Sequence, residues 1–297
     1  MSETIQKAGI ADTETRSSYW WKEAKRFLRT KPLGTTGLII VLAYIIIAIF
    51  ANQVAPYHPL DTDYANLLAA PSLAHWLGTD DFGRDVLTRI IFGARTAMLI
   101  GFTSAIIGAT AGLFIGVASA YFGGKIDQIV QRLLDILLSF PLIIMALAIV
   151  SIFGTGVQNV ILAIVIPMIP RCARVVRASA LALREVPYVD AARALGFSHW
   201  RIIVRHMVPN VMAPYLIMLT AFMGQAVLLE ASLSYLGLGV QEPIPAWGLM
   251  LQGGAEQYAE TAPWMAIFPG LAITVSVLAF NLFGDALRDV LDPKLRV

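Results

Sequence analysis

Six long apolar blocks constrain the fold of this 297-residue chain more than any other feature. A helix needs about 20 apolar residues to cross the roughly 30 Å of a bilayer's hydrocarbon core. Because the blocks are continuously apolar and do not alternate with polar residues, they indicate helices and not a β-barrel. We therefore predict an all-α, polytopic membrane protein with six transmembrane helices: Leu33–Ala55, Thr96–Tyr121, Leu134–Phe153, Gly156–Val175, Val211–Ser232 and Pro263–Phe283.

The charged residues, 14% of the chain, are distributed unevenly enough to orient it. Cytoplasmic loops of membrane proteins carry an excess of Lys and Arg. If the N-terminus is cytoplasmic, 19 of the 22 basic residues lie on the inner side, and only Arg84, Arg89 and Arg95 lie outside. We therefore expect both termini, and the segment between the fourth and fifth blocks, to be cytoplasmic.

The ends of the chain are predicted to flank the membrane domain. Residues 1–32 form a cytoplasmic tail, in which Tyr19, Trp20 and Trp21 and the basic residues after them indicate an interfacial helix on anionic lipid. Because lipid explains this basic run, no nucleic-acid partner is expected. Residues 33–95 hold the first transmembrane helix and an external segment, residues 96–291 the main transmembrane domain, and residues 292–297 a cytoplasmic tail.

Charges of alternating sign cluster in the external segment, in the run LGTDDFGRDVLTR. Its carboxylates could chelate a metal, but no histidine or further carboxylate completes a ligand set. We therefore favour ion pairs that cap or gate the outer end of the helix bundle, formed by Asp80, Asp81, Arg84, Asp85 and Arg89.

Glu230 is an acidic residue deep in the fifth apolar block. An ionisable residue inside a membrane is a candidate for the transport pathway. Alternatively, its carboxyl group is hydrogen-bonded locally and anchors the ASLSYLGLG turn that follows. We favour this second interpretation and leave the first open.

The segment Asp190–Asn210 predicts a helix–glycine–helix elbow on the cytoplasmic side. Pro187 suits the first turn of a helix, Gly196 suits a C-terminal cap with positive φ, and Ser198 can cap a second helix. We predict that Pro209 ends this second helix just before the fifth transmembrane block.

The same segment, DAARALGFSHWRIIVRHMVPN, resembles the EAA signature of bacterial ABC-importer permeases. In that family the segment is the coupling helix, which docks into a groove of a cytoplasmic ATPase. Asp190 stands where the signature usually has Glu, and His206 and Val208 stand where it has Ile and Leu. Three further stretches resemble the oligopeptide, dipeptide and nickel importer group, and most of all its "C"-type subunit: Leu77–Arg95, Leu233–Leu251 and Phe280–Lys294.

The resemblance implies a permease subunit of type I ABC-importer architecture in the bacterial inner membrane. It implies three kinds of protein partner: a homologous "B"-type permease, ABC ATPase subunits that bind ATP and Mg²⁺, and an extracytoplasmic substrate-binding protein. Di- and oligopeptides are the substrates expected first, with nickel, glutathione or sugar oligomers as alternatives. Within residues 185–210, it assigns the contact with the ATPase to Asp190, Ala191, Ala192, Leu195, Gly196 and Pro209.

No enzyme chemistry is expected of the chain itself. It has no G-x-x-x-x-G-K-[ST] phosphate loop, so we expect no cofactor on it and ATP energy must arrive through a partner. It has no zinc motif, nucleophile elbow or plausible triad among its four histidines. A self-sufficient secondary transporter is the main competing function, but it needs ion-coupling groups inside the membrane, and Glu230 is almost the only candidate. A structural scaffold subunit is the third alternative.

Overall fold

A computed structural model describes residues 28–291 of the chain. The predicted interfacial helix and most of the N-terminal tail, residues 1–27, lie outside the described residues, as does the C-terminal tail, residues 292–297. Within 28–291 the chain is helical, with irregular connections and one isolated antiparallel bridge between Thr79 and Asp85. This confirms the predicted all-α class.

The helices follow the chain in this order: α1 (Pro32–Ile49), α2 (Ala51–Val54), α3 (Val86–Phe122), α4 (Gly124–Leu138), α5 (Leu142–Phe153), α6 (Val157–Arg184), α7 (Pro187–Ala194), α8 (His199–Ile202), α9 (Met212–Tyr235), α10 (Trp247–Gln257) and α11 (Trp264–Leu291). A π-helix (Ile203–Met207) and a 3₁₀-helix (Val208–Val211) join α8 to α9. Among the described residues, five stretches are long and apolar enough to cross a membrane: Pro32–Ile49, Val86–Phe122, Val157–Arg184, His199–Tyr235 and Trp264–Leu291.

The third predicted span, Leu134–Phe153, is interrupted, as its internal proline Pro141 predicts. α4 and α5 reach the required length and apolarity only as a pair, and they are bent by 89° at the break between them. Pro141 lies at this break and explains it. A proline lacks an N–H and disfavours a helical conformation of the residue before it. α5 has 12 residues and is therefore about 18 Å long, too short to cross the hydrocarbon core alone.

Several other predicted spans are shorter than the helices that contain them, and α11 ends at Leu291, eight residues beyond the predicted end at Phe283. α3 begins at Val86, ten residues before the predicted start, so the predicted division between residues 95 and 96 cuts one continuous helix. α6 continues to Arg184, nine residues beyond the predicted end. The charged side chains in these additional helical turns made the turns look like loops in the sequence. In the structure, the charged side chains find polar partners in the bundle. Arg95, for example, donates through Nε to the carbonyl oxygen of Ala48 at 2.9 Å.

α3 packs against α6, α9 and α1, and its small residues allow the close approach. A Cβ atom on Gly112 would lie 2.6 Å from the Cβ of Cys172, and one on Gly116 would lie 2.5 Å from the carbonyl oxygen of Ala173. Both neighbours belong to α6. Close helix–helix contact through small residues is typical of membrane bundles, and here it joins two helices of the same subunit.

Candidate functional site

The predicted elbow consists of α7, a short turn and α8. Pro187 lies in the first turn of α7. Gly196 has φ +75°, which residues with a Cβ rarely adopt, and its N–H donates to the carbonyl oxygen of Arg193 at 2.9 Å. Ser198 accepts a hydrogen bond from the backbone N–H of Arg201 at 3.4 Å and caps α8. These three local predictions are confirmed.

The two faces of α7 differ in exposure. Val189 and Ala192 are buried and hold the helix against the bundle. Asp190 is exposed and pairs with Arg193 on the next turn at 3.2 Å. Leu195 is 74% exposed. Ala192 is therefore part of the packing of the elbow rather than of its free surface, whereas the other predicted coupling residues are exposed: Asp190, Ala191, Leu195, Gly196 and Pro209.

Pro209 does not end the second helix, contrary to the prediction. The π-helix and the 3₁₀-helix carry the chain without a break into α9. Proline has no N–H to donate to the preceding turn, and the side-chain amide of Asn210 donates instead to the carbonyl oxygen of His206 at 2.7 Å. Changes in helix pitch of this kind accommodate a proline ring. The elbow is therefore continuous with the fifth span.

Aromatic residues hold the elbow against the C-terminal end of α3. The hydroxyl of Tyr121 lies 2.8 Å from Nδ1 of His199, and the rings of Phe114 and Trp200 stack with their centroids 6.0 Å apart. The guanidinium of Arg193 lies over the Tyr121 ring, 4.8 Å from its centroid. Sequence reasoning missed these residues because the two partners in each pair are about 80 positions apart and match no motif.

The predicted ion-pair cap joins the segment before α3 to a distant loop. Asp80 accepts from Nε of Arg84 at 2.6 Å. Arg84 and Arg89 both donate to Glu242, at 3.0 and 2.8 Å. Arg89 is 2% exposed, and its Nη1 is a buried nitrogen without a hydrogen-bond partner among the described residues. Burial alone would lower the pKa of Arg84, but the Asp80 and Glu242 carboxylates outweigh burial and raise it.

The other two acids of the predicted cluster behave differently. Asp85 accepts from the backbone N–H of Thr88 at 2.7 Å and so caps α3; its other oxygen lies 3.0 Å from Nδ1 of His75. Asp81 belongs to none of these ion pairs, and burial together with the Asp80 charge raises its pKa. The structure thus brings together three of the five predicted residues, with Glu242 as a fourth member that sequence reasoning missed. They line a cavity of about 260 Å³ beside α10.

Glu230 is fully buried in α9 and has no surface on any pathway in this conformation. Its Oε1 accepts from the hydroxyl of Ser234 at 2.7 Å, and Ser234 in turn accepts from the backbone N–H of Val240 at 3.2 Å. This chain of bonds holds the turn after α9 against the helix end. The geometry agrees with the anchoring interpretation, and a pathway-lining role needs exposure that Glu230 lacks.

The sequence that forms this exposed elbow and the apolar spans has known relatives. Residues 108–297 match the family described as binding-protein-dependent transport system inner membrane component. The chain belongs to this family. Residues 18–71 also match the N-terminal transmembrane domain of oligopeptide transport permease C. The chain is a permease subunit of a bacterial ABC importer and a multi-pass protein of the inner membrane.

Individual relatives cover nearly the whole permease. It is 43% identical over 276 residues to the dipeptide transport system permease protein DppC of Alkalihalophilus pseudofirmus, covering 93% of this chain and 90% of the relative. It is 42% identical over 289 residues to the glutathione transport system permease protein GsiD of Pectobacterium atrosepticum, covering 97% and 95%.

A solved structure confirms the type I ABC-importer fold. A chain of the MetNI methionine ABC transporter in an inward-facing conformation superposes with a TM-score of 0.54 and 19% identity. The match covers 69% of the permease and 97% of that chain. At this level of identity the likeness concerns the fold alone.

Proposed function

We propose that this permease forms half of the translocation pathway of a peptide importer and that its elbow transmits motion from separate ATPase subunits. The observation that carries the proposal is the construction of the elbow. One face of α7 is free, with Asp190, Ala191 and Leu195 exposed, while the same helix is packed on the bundle through Val189 and Ala192. A surface that is exposed yet rigidly attached suits a docking site that moves the spans behind it.

On this proposal, closure of the ATPase subunits around ATP moves α7, and the motion reaches the membrane by two routes. One is the continuous helical path from α8 into α9, and the other is the aromatic contact with the inner end of α3. ATP binding then shifts the population between two packings of the bundle, open inward or open outward. The chain itself catalyses no reaction, and ATP and Mg²⁺ bind to the partners.

The proposed assembly contains a homologous "B"-type permease, ATPase subunits on the cytoplasmic side and a substrate-binding protein outside. Both termini are proposed to be cytoplasmic, as the excess of basic residues on that side supports. The ion-pair cap of Asp80, Arg84, Arg89 and Glu242 would close the outer end of the bundle until the binding protein docks.

The proposed substrates are di- and oligopeptides or small peptides such as glutathione. Relatives more than 40% identical over nearly the whole chain are named as dipeptide, peptide and glutathione permeases. Choice among them would rest largely with the binding protein, because that partner selects the solute before the permease meets it.

The coupling role is tested by Asp190→Lys in the complete complex reconstituted in liposomes. The side chain is 66% exposed and pairs only with Arg193 among the described residues, so the substitution leaves the fold intact. We expect ATPase activity stimulated by the binding protein, and uptake with it, to fall about tenfold or more. A tenfold loss corresponds to about 1.4 kcal/mol, which a reversed charge at a docking surface supplies.

Asp289→Lys is the matched control. Asp289 is 43% exposed near the end of α11 and makes the same kind of ion pair, with Lys31, so the charge change is equal but lies outside the coupling segment. We expect it to leave activity within about twofold of the parent. Normal stimulation and uptake in Asp190→Lys would refute the coupling role, and uptake by the chain alone, driven by an ion gradient without ATP, would support a secondary transporter instead.

A further inference from the structure

Arg171 differs from the other arginines of α6. Each of the other three pairs with a carboxylate: Arg174 with Asp135, Arg177 with Asp127 and Arg184 with Glu185. Within residues 28–291, Arg171 has no carboxylate at ion-pair distance, and its hydrogen bond is to the side-chain oxygen of Gln225 on α9, at 3.4 Å. A charged group kept inside a membrane helix without an opposite charge calls for a physical explanation.

Arg171 lies halfway along α6, in the inner half of the part of this helix that crosses the hydrocarbon core. Arg171 is 14 residues after the outer end of α6 at Val157, a distance of about 21 Å along the helix. Gln225 is 10 residues before the outer end of α9 at Tyr235, or about 15 Å. Because Arg171 reaches Gln225, its side chain is not directed toward the cytoplasmic headgroups, where a long basic side chain usually escapes the lipid.

Arg171 is also accessible. It and Gln225 are only partly buried, and among the described residues the buried arginine nitrogen without a partner belongs to Arg89 and not to Arg171. A guanidinium has five N–H donors, and the bond to Gln225 is the one side-chain hydrogen bond that Arg171 makes among the described residues. Charged residues at this depth face the bundle interior or a water-filled cavity rather than lipid. The pair therefore lies on the surface that the permease turns toward its pathway.

We propose that Arg171 and Gln225 form a carboxylate-binding step on the translocation pathway. The planar guanidinium matches the two oxygens of a carboxylate, and the Gln225 amide orients it and adds a donor of its own. The ligand class is a solute with a free carboxylate, such as the C-terminus of a peptide. This inference rests on the proposed function, since it assigns a role to a residue along that pathway.

The test measures the electric field at the site with charged thiol reagents. Cys172 is the chain's single cysteine, so Cys172→Ala followed by Gln225→Cys places one thiol beside Arg171. The assembled complex, with and without ATP, is treated with anionic sulfonatoethyl and cationic trimethylammonioethyl methanethiosulfonate. We expect both reagents to react in at least one nucleotide state, with the anionic reagent favoured relative to its reaction with a free thiol in solution.

Arg171→Gln in this background is expected to lower the anionic-to-cationic rate ratio about tenfold, because a unit charge within several ångströms acts on the two reagents in opposite directions. Arg171→Lys should keep the ratio. Arg132→Gln removes an exposed arginine of α4 and controls for the overall charge of the subunit.

Two results would overturn the proposal. The first is that neither reagent reacts with the thiol at position 225 in any nucleotide state. This would mean that lipid or the partner permease covers the face that carries Arg171. An unchanged ratio in Arg171→Gln would mean that the guanidinium does not govern the field there. The comparison of the two reagents on the cysteine variant that keeps Arg171 needs no arginine substitution. It therefore remains valid if Arg171→Gln fails to assemble. The rate ratio is also measured without ATP, where no coupling is required, so an unchanged ratio there is distinct from a failure of Asp190→Lys.

Discussion

Asp81 is a residue whose charge works against the folded state. Burial and the neighbouring Asp80 carboxylate raise its pKa, so the folded protein holds the Asp81 proton more tightly than the unfolded chain does. The stability from that proton is complete below the unfolded pKa of about 4 and is lost as pH rises through the folded pKa. We therefore expect Asp81→Asn to raise the melting temperature at pH 7, by an amount that vanishes below about pH 4.

Asp63→Asn provides a control, because the expected change in melting temperature has the opposite sign. The Asn66 side chain and the backbone N–H of Ala65 donate to the Asp63 carboxylate and lower its pKa, so its charge stabilises the fold above the unfolded pKa and the benefit is lost in acid. Asp63→Asn should lower the melting temperature at pH 7. Scanning fluorimetry of the purified permease in detergent from pH 4 to 8 measures both. The same sign for the two variants would contradict the assignment.

At the scale of elements, Gly112 tests whether α3 and α6 must touch. A Cβ there would lie 2.6 Å from the Cβ of Cys172 and 2.8 Å from the carbonyl oxygen of Ile169, and a backbone atom cannot move aside cheaply. We expect Gly112→Leu to destabilise the permease by about 1–3 kcal/mol or more, measured by denaturation in mixed micelles. Gly253→Leu is the control, because nothing lies within 4 Å of a Cβ at Gly253. Equal losses in the two variants would refute this explanation.

The elements also show what the sequence could and could not predict. Pro187, Gly196 and Ser198 act through neighbours one helical turn away, so their roles were readable from spacing. Glu242 meets Arg89 across 153 positions, and such a pairing follows from the fold alone. Hydropathy located the apolar blocks, and Pro141 indicated the interruption of the third. Hydropathy missed the charged first turns of α3, because it cannot show that their charges find polar partners in the bundle.

At the scale of the whole molecule, α3 connects the two candidate sites. Its N-terminal end is capped by Asp85 and carries Arg89 of the ion-pair cap, while Tyr121 near its C-terminal end meets His199 of the elbow. The helix has 37 residues and is therefore about 55 Å long. A long, well-packed helix moves as a unit, so displacement of the elbow and opening of the outer cap are expected to be linked.

Tyr121→Phe tests this link because it removes only the hydroxyl that meets His199. One such bond contributes about 1 kcal/mol, so we expect solute transported per ATP hydrolysed to fall about fivefold while the complex still assembles. Tyr44→Phe is the matched control, since the Tyr44 hydroxyl donates to the carbonyl oxygen of Ala272 at 3.2 Å, between α1 and α11 and away from the elbow. Paired assays of uptake and ATPase activity in proteoliposomes give the ratio. If Tyr121→Phe transports as efficiently as Tyr44→Phe, the motion reaches the bundle through α9 alone.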